Sequence, residues 1–477
     1  MHPSTLAKRV YIFLFIVVIV FYLYGLGHIP LLGPDEPRYA QVAREMFLRS
    51  DLVTPTLGGH AWFEKPALLY WLMIAAYKLF GVHEWTARLG PALCGLLTIA
   101  AVWLVGREAD HSAEPRSFGF YSLLVTASCL GLIVFSRAAS FDVVITMTTT
   151  WSLALFLLHE LPTTGNKRWL LTGFYALAGL SLIAKGLVGL VIPFGVVGVY
   201  YLLRRRWPTR SVWLSLIWGV PLALAVSALW YGPVIARHGW SFIDEFFIQH
   251  HFARYVSNKY QHPQPIYFYP AIILMLAVPW TPFLIWAWVK ARHWTWRATD
   301  SVSIVRVFSL AWLAMPIVFF SFSGSKLPGY ILPSLPAAAI LIADVLRPKR
   351  IALPVSIASA TVAMVLIALH FFAAPFANHE SLRDLLALAD ARGYANSPVL
   401  AQRGDDRTAE FYAHDRVVYG AHGKVVTFDE ISVAEARARS DKFVVFIPLE
   451  FVDNFRGSPK MEVIGDNGKT AVLGWRP

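Results

Sequence analysis

Apolar runs close to 20 residues long recur through residues 9–373 of this 477-residue chain, and that recurrence limits the fold more than any other feature. About 20 apolar residues cross a bilayer as a helix, and lipid penalises every backbone polar group left unpaired. Hydrophobic residues make up 56% of the chain and charged ones 15%, more apolar than a soluble core requires. The runs predict about eleven spans, near 9–29, 86–106, 117–136, 142–159, 169–185, 187–203, 211–231, 266–289, 305–322, 329–346 and 351–373. The first, "RVYIFLFIVVIVFYLYGLGHI", follows Lys8 and Arg9. It exceeds the roughly 7–15 residues of a signal-peptide core and no small-x-small cleavage pattern follows, so a retained helix is expected. Cys94 and Cys129 both lie inside apolar runs, which argues against a disulfide framework or a zinc cluster.

Charge gives these spans a direction. With a cytoplasmic N-terminus, alternate connections carry Arg107 and Arg116, Lys167 and Arg168, Arg204 to Arg206 with Arg210, Lys290 with Arg292 and Arg297, and Arg347 with Lys349 and Arg350. That is a positive-inside pattern. The net charge of +12 is therefore mostly topology. It is divided among short loops and not gathered on one face, so nucleic acid is not an expected partner.

Residues 376–477 differ, with 13 Lys and Arg against 15 Asp and Glu. "SPVLA", "RVVYGA" and "DKFVVFIPL" read as strands and "ESLRDLLALADARG" as a helix ending at Gly393. The expected fold is mainly α: a polytopic membrane helical bundle over 1–375, followed by a small soluble α/β domain over 376–477. An odd number of spans puts that domain outside the cytoplasm, in the periplasm of a Gram-negative cell. No internal repeat, low-complexity tract or flexible linker is evident.

The outer loops, chiefly 30–85, 232–265 and 323–328, and the span ends beside them collect most of the unusual polar residues. "GPDEPRYAQVAREMF" brings Asp35, Glu36, Arg38 and Tyr39 to the start of an amphipathic helix, with Tyr39, Val42, Ala43, Met46 and Phe47 on one face. Asp35 suits an N-cap as well as it suits catalysis, whereas a cap does not account for Glu36. "AWFEKPALLYW" holds Glu64 and Lys65, either a snorkelling pair or a phosphate contact. Arg137, Asp142 and Lys185 sit at outer span ends, where a cation runs against the positive-inside bias. Helix packing through an ion pair and ligand binding both remain open for them. His250 and His251 point to different helix faces, poor geometry for one metal, while His251 and Arg254 can share a ligand. "SGSKLPGYILPSLP" adds Lys326 and Tyr330.

In combination, DExRYA, FEKP, the arginine and aspartate after the third span, KG, HxxR and SKxPxYILP resemble the bacterial lipid A aminoarabinose transferases. Those enzymes belong to the polyprenyl-phosphate-sugar-dependent glycosyltransferases of GT-C fold, a group that includes the protein O-mannosyltransferases. The likeness covers about residues 5–345 and differs at Pro66-Ala67, where two prolines are usual. It implies a GT-C type bundle and an undecaprenyl-phosphate-linked sugar as donor. It further implies lipid A or another outer-leaflet glycan or protein as acceptor, with membrane lipids around the chain. Asp35 would be catalytic. Lys65, Lys185, Arg254, Lys326 and Tyr330 would hold the donor phosphate. Glu36, Arg38, Tyr39, Glu64, Arg137, Asp142 and His251 would contact sugar or acceptor. No cofactor is obligatory; a divalent metal ion near Glu64 is an option. Galacturonate, mannose or a hexosamine are alternative sugars. A lipid-linked-sugar transporter is the rival class, although its usual repeats and midplane polar residues are missing.

Overall fold

The structure, a computed structural model, describes residues 3–110, 117–162, 167–253, 264–401, 408–420, 425, 441–455 and 459–476. Packing divides the chain into two compact units, each described by itself. The first is Met1–Tyr24, Phe63–Leu69 and Gly90–Met364; the second is Gly25–Trp62, Tyr70–Leu89 and Val365–Pro477.

The chain opens with α1 (Pro3–Leu23), α2 (Glu36–Leu48), a two-residue hairpin β1 (Thr56–Leu57) and β2 (His60–Ala61), then α3 (Leu68–Phe80) and α4 (Glu84–Asp110). Next come α5 (Phe118–Ser128), α6 (Leu130–Ser136), α7 (Phe141–Glu160), α8 (Arg168–Lys185), α9 (Val188–Arg204) and α10 (Arg210–Phe242). A π-helical stretch, Ile243–Phe252, continues α10. Then follow α11 (Phe268–Leu276), α12 (Thr281–Ala291), α13 (Ser301–Ser321), a 3₁₀ turn at Pro328–Ser334, α14 (Leu335–Leu346) and α15 (Ala352–Ala368). A helix occupies every interval expected to span.

Among the described residues, six helices are long and apolar enough to cross a membrane, or up to seven if a bent pair is one span. The expected count of eleven is therefore not confirmed. The difference lies in broken and short helices. Cys129 adopts an extended backbone between α5 and α6, bending the pair by 59°. The Leu130 N–H, freed by this break, donates to Val278 O at 2.8 Å. The break in the expected 266–289 span falls beside it, and the Trp280 indole N–H donates to the Ser128 hydroxyl at 3.1 Å. Each interruption is thus satisfied from a neighbouring segment, as a low-dielectric interior demands.

Within the first unit, α7 packs on α8 and α8 on α10. Small residues set the α8–α10 approach: a Cβ at Gly179 would fall 2.3 Å from Ala223 O. Van der Waals packing of this kind drives helix association where lipid offers no hydrophobic gain.

In the second unit, the C-terminal segment forms a four-stranded sheet. Its order is β3 (Val399–Ala401), β4 (Phe443–Pro448), β6 (Thr470–Trp475) and β5 (Met461–Asp466). The β3–β4 pair is parallel and the others antiparallel. Alternation along β4 sends Val444 and Phe446 to a core with Leu385, Leu386 and Tyr394. Phe443, Val445 and Ile447 go to a second core with Leu400 and Leu473. The sheet is buried on both faces. The expected helix appears as Arg383–Ala389 with a π-helical turn to Tyr394, and "RVVYGA" forms isolated bridges instead of a strand.

Gly179→Ala is expected to destabilise the bundle by about 1–3 kcal/mol, because a methyl group there meets backbone that cannot give way. Gly198, with open space around its Cβ direction, supplies the control: Gly198→Ala should leave thermal unfolding in detergent unchanged. Equal melting behaviour of the two variants would refute the close-packing account.

Candidate functional site

The second unit carries Asp35, Glu36, Arg38 and Tyr39 at the start of α2. Asp35 occupies the N-cap position yet makes no side-chain cap hydrogen bond. Its carboxylate is 56% exposed and pairs with Arg38. Capping is thus not what this side chain does. Glu36 has the opposite character, with its side chain 11% exposed. Arg88 donates Nε to Glu36 Oε1 at 3.0 Å and Nη2 to Oε2 at 2.7 Å. Its other donations go to Leu26 O, Ile29 O and Pro30 O, each at 2.8 Å. The Leu32 N–H also reaches Glu36, at 2.9 Å. One guanidinium therefore gathers the turn that delivers Asp35, using donors in a fixed fork.

Glu36 Oε1 accepts from Arg88, and Oε2 from both Arg88 and the Leu32 amide, so its carboxylate helps to hold this turn. Arg88 went unnoticed in the sequence. Its signal was available, since "EWTARLG" puts an arginine at the outer end of an apolar run, against the positive-inside bias. Arg38 lies over the Trp62 ring, 5.2 Å from its centroid. Tyr39 is buried, edge-on to Tyr70. A second unpredicted acid, Glu45, accepts from Thr56 Oγ1 at 2.6 Å, Gly58 N at 2.7 Å and Gly59 N at 3.2 Å. Gly58 and Gly59 have positive φ, and their amides converge on that carboxylate to shape the β1–β2 turn.

The first unit holds the remaining described candidates. Asp142 lies in the first turn of α7 behind a Ser140 cap, and Lys185 ends α8 before Gly186, whose φ is 75°. The two side chains form an ion pair. Each charge sits at the helix end that favours it, an anion at an N-terminus and a cation at a C-terminus. Lys185 Nζ also lies over the Tyr330 ring, 4.8 Å from the centroid. Gly329 lies against them: a Cβ there would stand 2.0 Å from Asp142 Oδ2 and would displace that carboxylate. Four residues earlier in the chain than Tyr330, Lys326 is 8% exposed. Its Nζ donates to Gln264 O at 3.0 Å and Ser323 O at 2.8 Å. An ammonium has three donors, so these two carbonyls leave capacity for an anion.

Glu64 and Lys65 pair with each other at 2.8 Å, both mostly buried. Arg137 donates to Phe21 O at 3.1 Å and Tyr24 O at 2.5 Å, the last carbonyls of α1 and its exit. That is a helix C-cap made by a cation, which gives Arg137 a structural place. His251 falls in the π-helical stretch, its side chain outside the described residues, and Arg254 lies outside them altogether. Among the described residues no group of three or more His, Cys, Asp or Glu can hold a metal ion. The optional metal near Glu64 is therefore unconfirmed, and no step below uses one.

Known proteins match this arrangement. The family model for dolichyl-phosphate-mannose-protein mannosyltransferases matches residues 64–231. The undecaprenyl phosphate-alpha-4-amino-4-deoxy-L-arabinose arabinosyl transferase of Erwinia tasmaniensis is 32% identical over 333 residues, covering 68% of this chain and 57% of that protein. Its counterpart in Pseudomonas aeruginosa is 31% identical over 334 residues, covering 69% and 58%. The chain thus spans a little under three fifths of the length of the curated relatives it matches. The crystal structure of ArnT from Cupriavidus metallidurans bound to undecaprenyl phosphate superposes with a TM-score of 0.78 at 23% identity. That likeness covers 97% of this chain and 98% of that one. With the same fold and this level of identity over two thirds of its length, the chain belongs to the lipid A aminoarabinose transferase-like family of GT-C membrane proteins.

Proposed function

We propose that this chain is a membrane glycosyltransferase that moves 4-amino-4-deoxy-L-arabinose from undecaprenyl phosphate to lipid A. The observation that carries the reading is the Asp142–Lys185 pair at facing helix ends, set against Tyr330 and Gly329. A lipid-linked amino sugar brings an anionic phosphate and a cationic amine. Those two charges are the complement of the internal pair: the phosphate takes over Lys185 and the amine takes over Asp142. Binding then exchanges one ion pair for two and leaves no buried charge alone.

Lys65, Lys185, Arg254 and Lys326, with the Tyr330 hydroxyl, receive the donor phosphate. Glu64 and Asp142 accept from the sugar, and Arg38 and His251 serve the acceptor side. Glu36 and Arg137 hold backbone, and Tyr39 supports α2 from the core. An acceptor oxygen attacks the anomeric carbon with its lone pair while the bond from that carbon to the phosphate oxygen breaks. The bonding electrons leave on undecaprenyl phosphate, and the surrounding cations stabilise that growing charge. Attack from the opposite side inverts the anomeric centre. Asp35 takes the proton of a hydroxyl acceptor. For a lipid A phosphate, already a nucleophile, it orients the acceptor through Arg38.

The reaction is placed on the outer leaflet of a bacterial inner membrane, with the N-terminus in the cytoplasm and the C-terminal domain over residues 376–477 in the periplasm. The ends of α8 support this orientation: Lys167 and Arg168 begin it on the basic side, and Lys185 ends it on the side of the site.

Purified full-length protein, incubated with a panel of undecaprenyl-phosphate-linked sugars and lipid A, is expected to release undecaprenyl phosphate from the aminoarabinose donor and to transfer the sugar with inversion. Asp35→Asn should fold normally and lower kcat about 10²-fold or more, the ordinary worth of a positioned acid or base. Cleavage of none of these donors would overturn the proposal, and movement of an intact donor across a vesicle would assign the chain to transport. Asp142→Asn is expected to raise KM about tenfold, worth roughly 1.4 kcal/mol, for an amine-bearing donor and not for its neutral analogue. Equal effects on both donors would refute the exchange of ion pairs.

A further inference from the structure

We propose that the C-terminal domain is a positioning element for the helix that presents Asp35, with Arg44 as its latch. The inference rests on the assignment of Asp35 to the acceptor side. Arg44 follows Asp35 by nine residues, about 13 Å along an α-helix that rises 1.5 Å per residue. It is 5% exposed although it is an arginine on a helix outside the spans. Its Nη1 donates to Phe411 O at 3.1 Å and to His414 Nδ1, and its Nη2 to Asp415 Oδ1 at 3.2 Å. All three acceptors come from a short helix (Thr408–Tyr412) and the 3₁₀ turn after it (His414–Arg416).

The same segment grips the chain on the other side of Asp35. The Leu31 N–H donates to the Tyr412 hydroxyl at 2.7 Å, and that hydroxyl donates to Glu84 Oε1 at 3.1 Å. Arg383 stands 3.5 Å from the same Glu84 oxygen. The domain therefore brackets Asp35, four residues behind it at Leu31 and nine ahead at Arg44, and these contacts do not use its carboxylate. A lysine at 44 keeps the charge and loses the fork that serves three acceptors together. The arrangement fits control of carboxylate placement, to which turnover responds steeply: about 1 Å of misplacement can cost 10²-fold.

His414 gives the latch a titratable joint. Arg44 can donate to Nδ1 only while the ring is neutral. Arg44, Arg416, Asp415 and Asp390 face it, and burial, Arg44 and Arg416 pull its proton affinity below the ordinary value of 6.5. Its contribution is therefore complete above about pH 6.5 and is lost as pH falls through the lower folded value, when two like charges meet. His414 has a left-handed backbone, φ 56°, that asparagine also tolerates.

The test uses full-length protein with undecaprenyl-phosphate-linked aminoarabinose and lipid A. Arg44→Ala is expected to lower kcat about tenfold or more while donor KM stays within about twofold, and Arg44→Lys to recover part of the loss. His414→Asn should match the wild type at pH 7.5 and retain activity below about pH 6.5, where the wild type declines. Unchanged kcat in Arg44→Ala, or an unaltered acid limb in His414→Asn, overturns the proposal. If Arg44→Ala does not fold, the His414→Asn profile decides alone. Asp35→Asn separates the two readings. Full activity there defeats the assignment of Asp35, whereas an inactive Asp35→Asn beside a fully active Arg44→Ala defeats only the latch.

Discussion

A charge inside an apolar bundle costs several kcal/mol unless a counter-charge, a helix end or a set of hydrogen bonds meets it. That constraint orders the polar residues of this chain. Glu36 is met by Arg88, Asp142 by Lys185, Glu160 by Arg206, Asp344 by Arg306 and Asp110 by Arg347. The last three tie together separate helices and their ends. The Asp142–Lys185 pair resembles them in chemistry and differs in surroundings: an aromatic ring, a glycine packed against the carboxylate, and a nearby lysine held only by carbonyls among its described contacts.

The same constraint explains how the adjacent carboxylates diverge. Helical geometry points consecutive side chains about 100° apart, so Asp35 and Glu36 cannot share an environment. Glu36 turns inward and must be neutralised, and Arg88 does so while collecting three carbonyls of the preceding turn. Asp35 turns outward beside Arg38. The inward acid stabilises the turn from which the outward one projects.

The spans were readable because a 20-residue apolar run has few alternatives, and the motif order was readable because DExRYA, FEKP and SKxPxYILP are local. The breaks at Cys129 and after Leu276 were not, since their freed backbone groups are satisfied from distant segments and leave the local pattern apolar. The partners of Arg88 and Arg44 were missed for a related reason: they lie from 52 to 371 residues away, beyond any periodicity. Arg137 was noticed for the right cause, a cation where the bias disfavours one. Its partners were carbonyls ending a helix, and composition carries no trace of those. Polarity divides the sequence at residue 375. Packing instead joins the last hundred residues to the loop that carries Asp35.

That joining bears on how the molecule reaches its working form. The contacts of Arg44 and Leu31 close loops of more than 360 residues, and long-range closure of this kind comes late because its entropy is lost before any contact repays it. The bundle helices can meet their neighbours early, through short connections such as those joining α7, α8 and α9. The Asp35 turn has local support from Arg88 and gains the rest only when the sheet domain is in place.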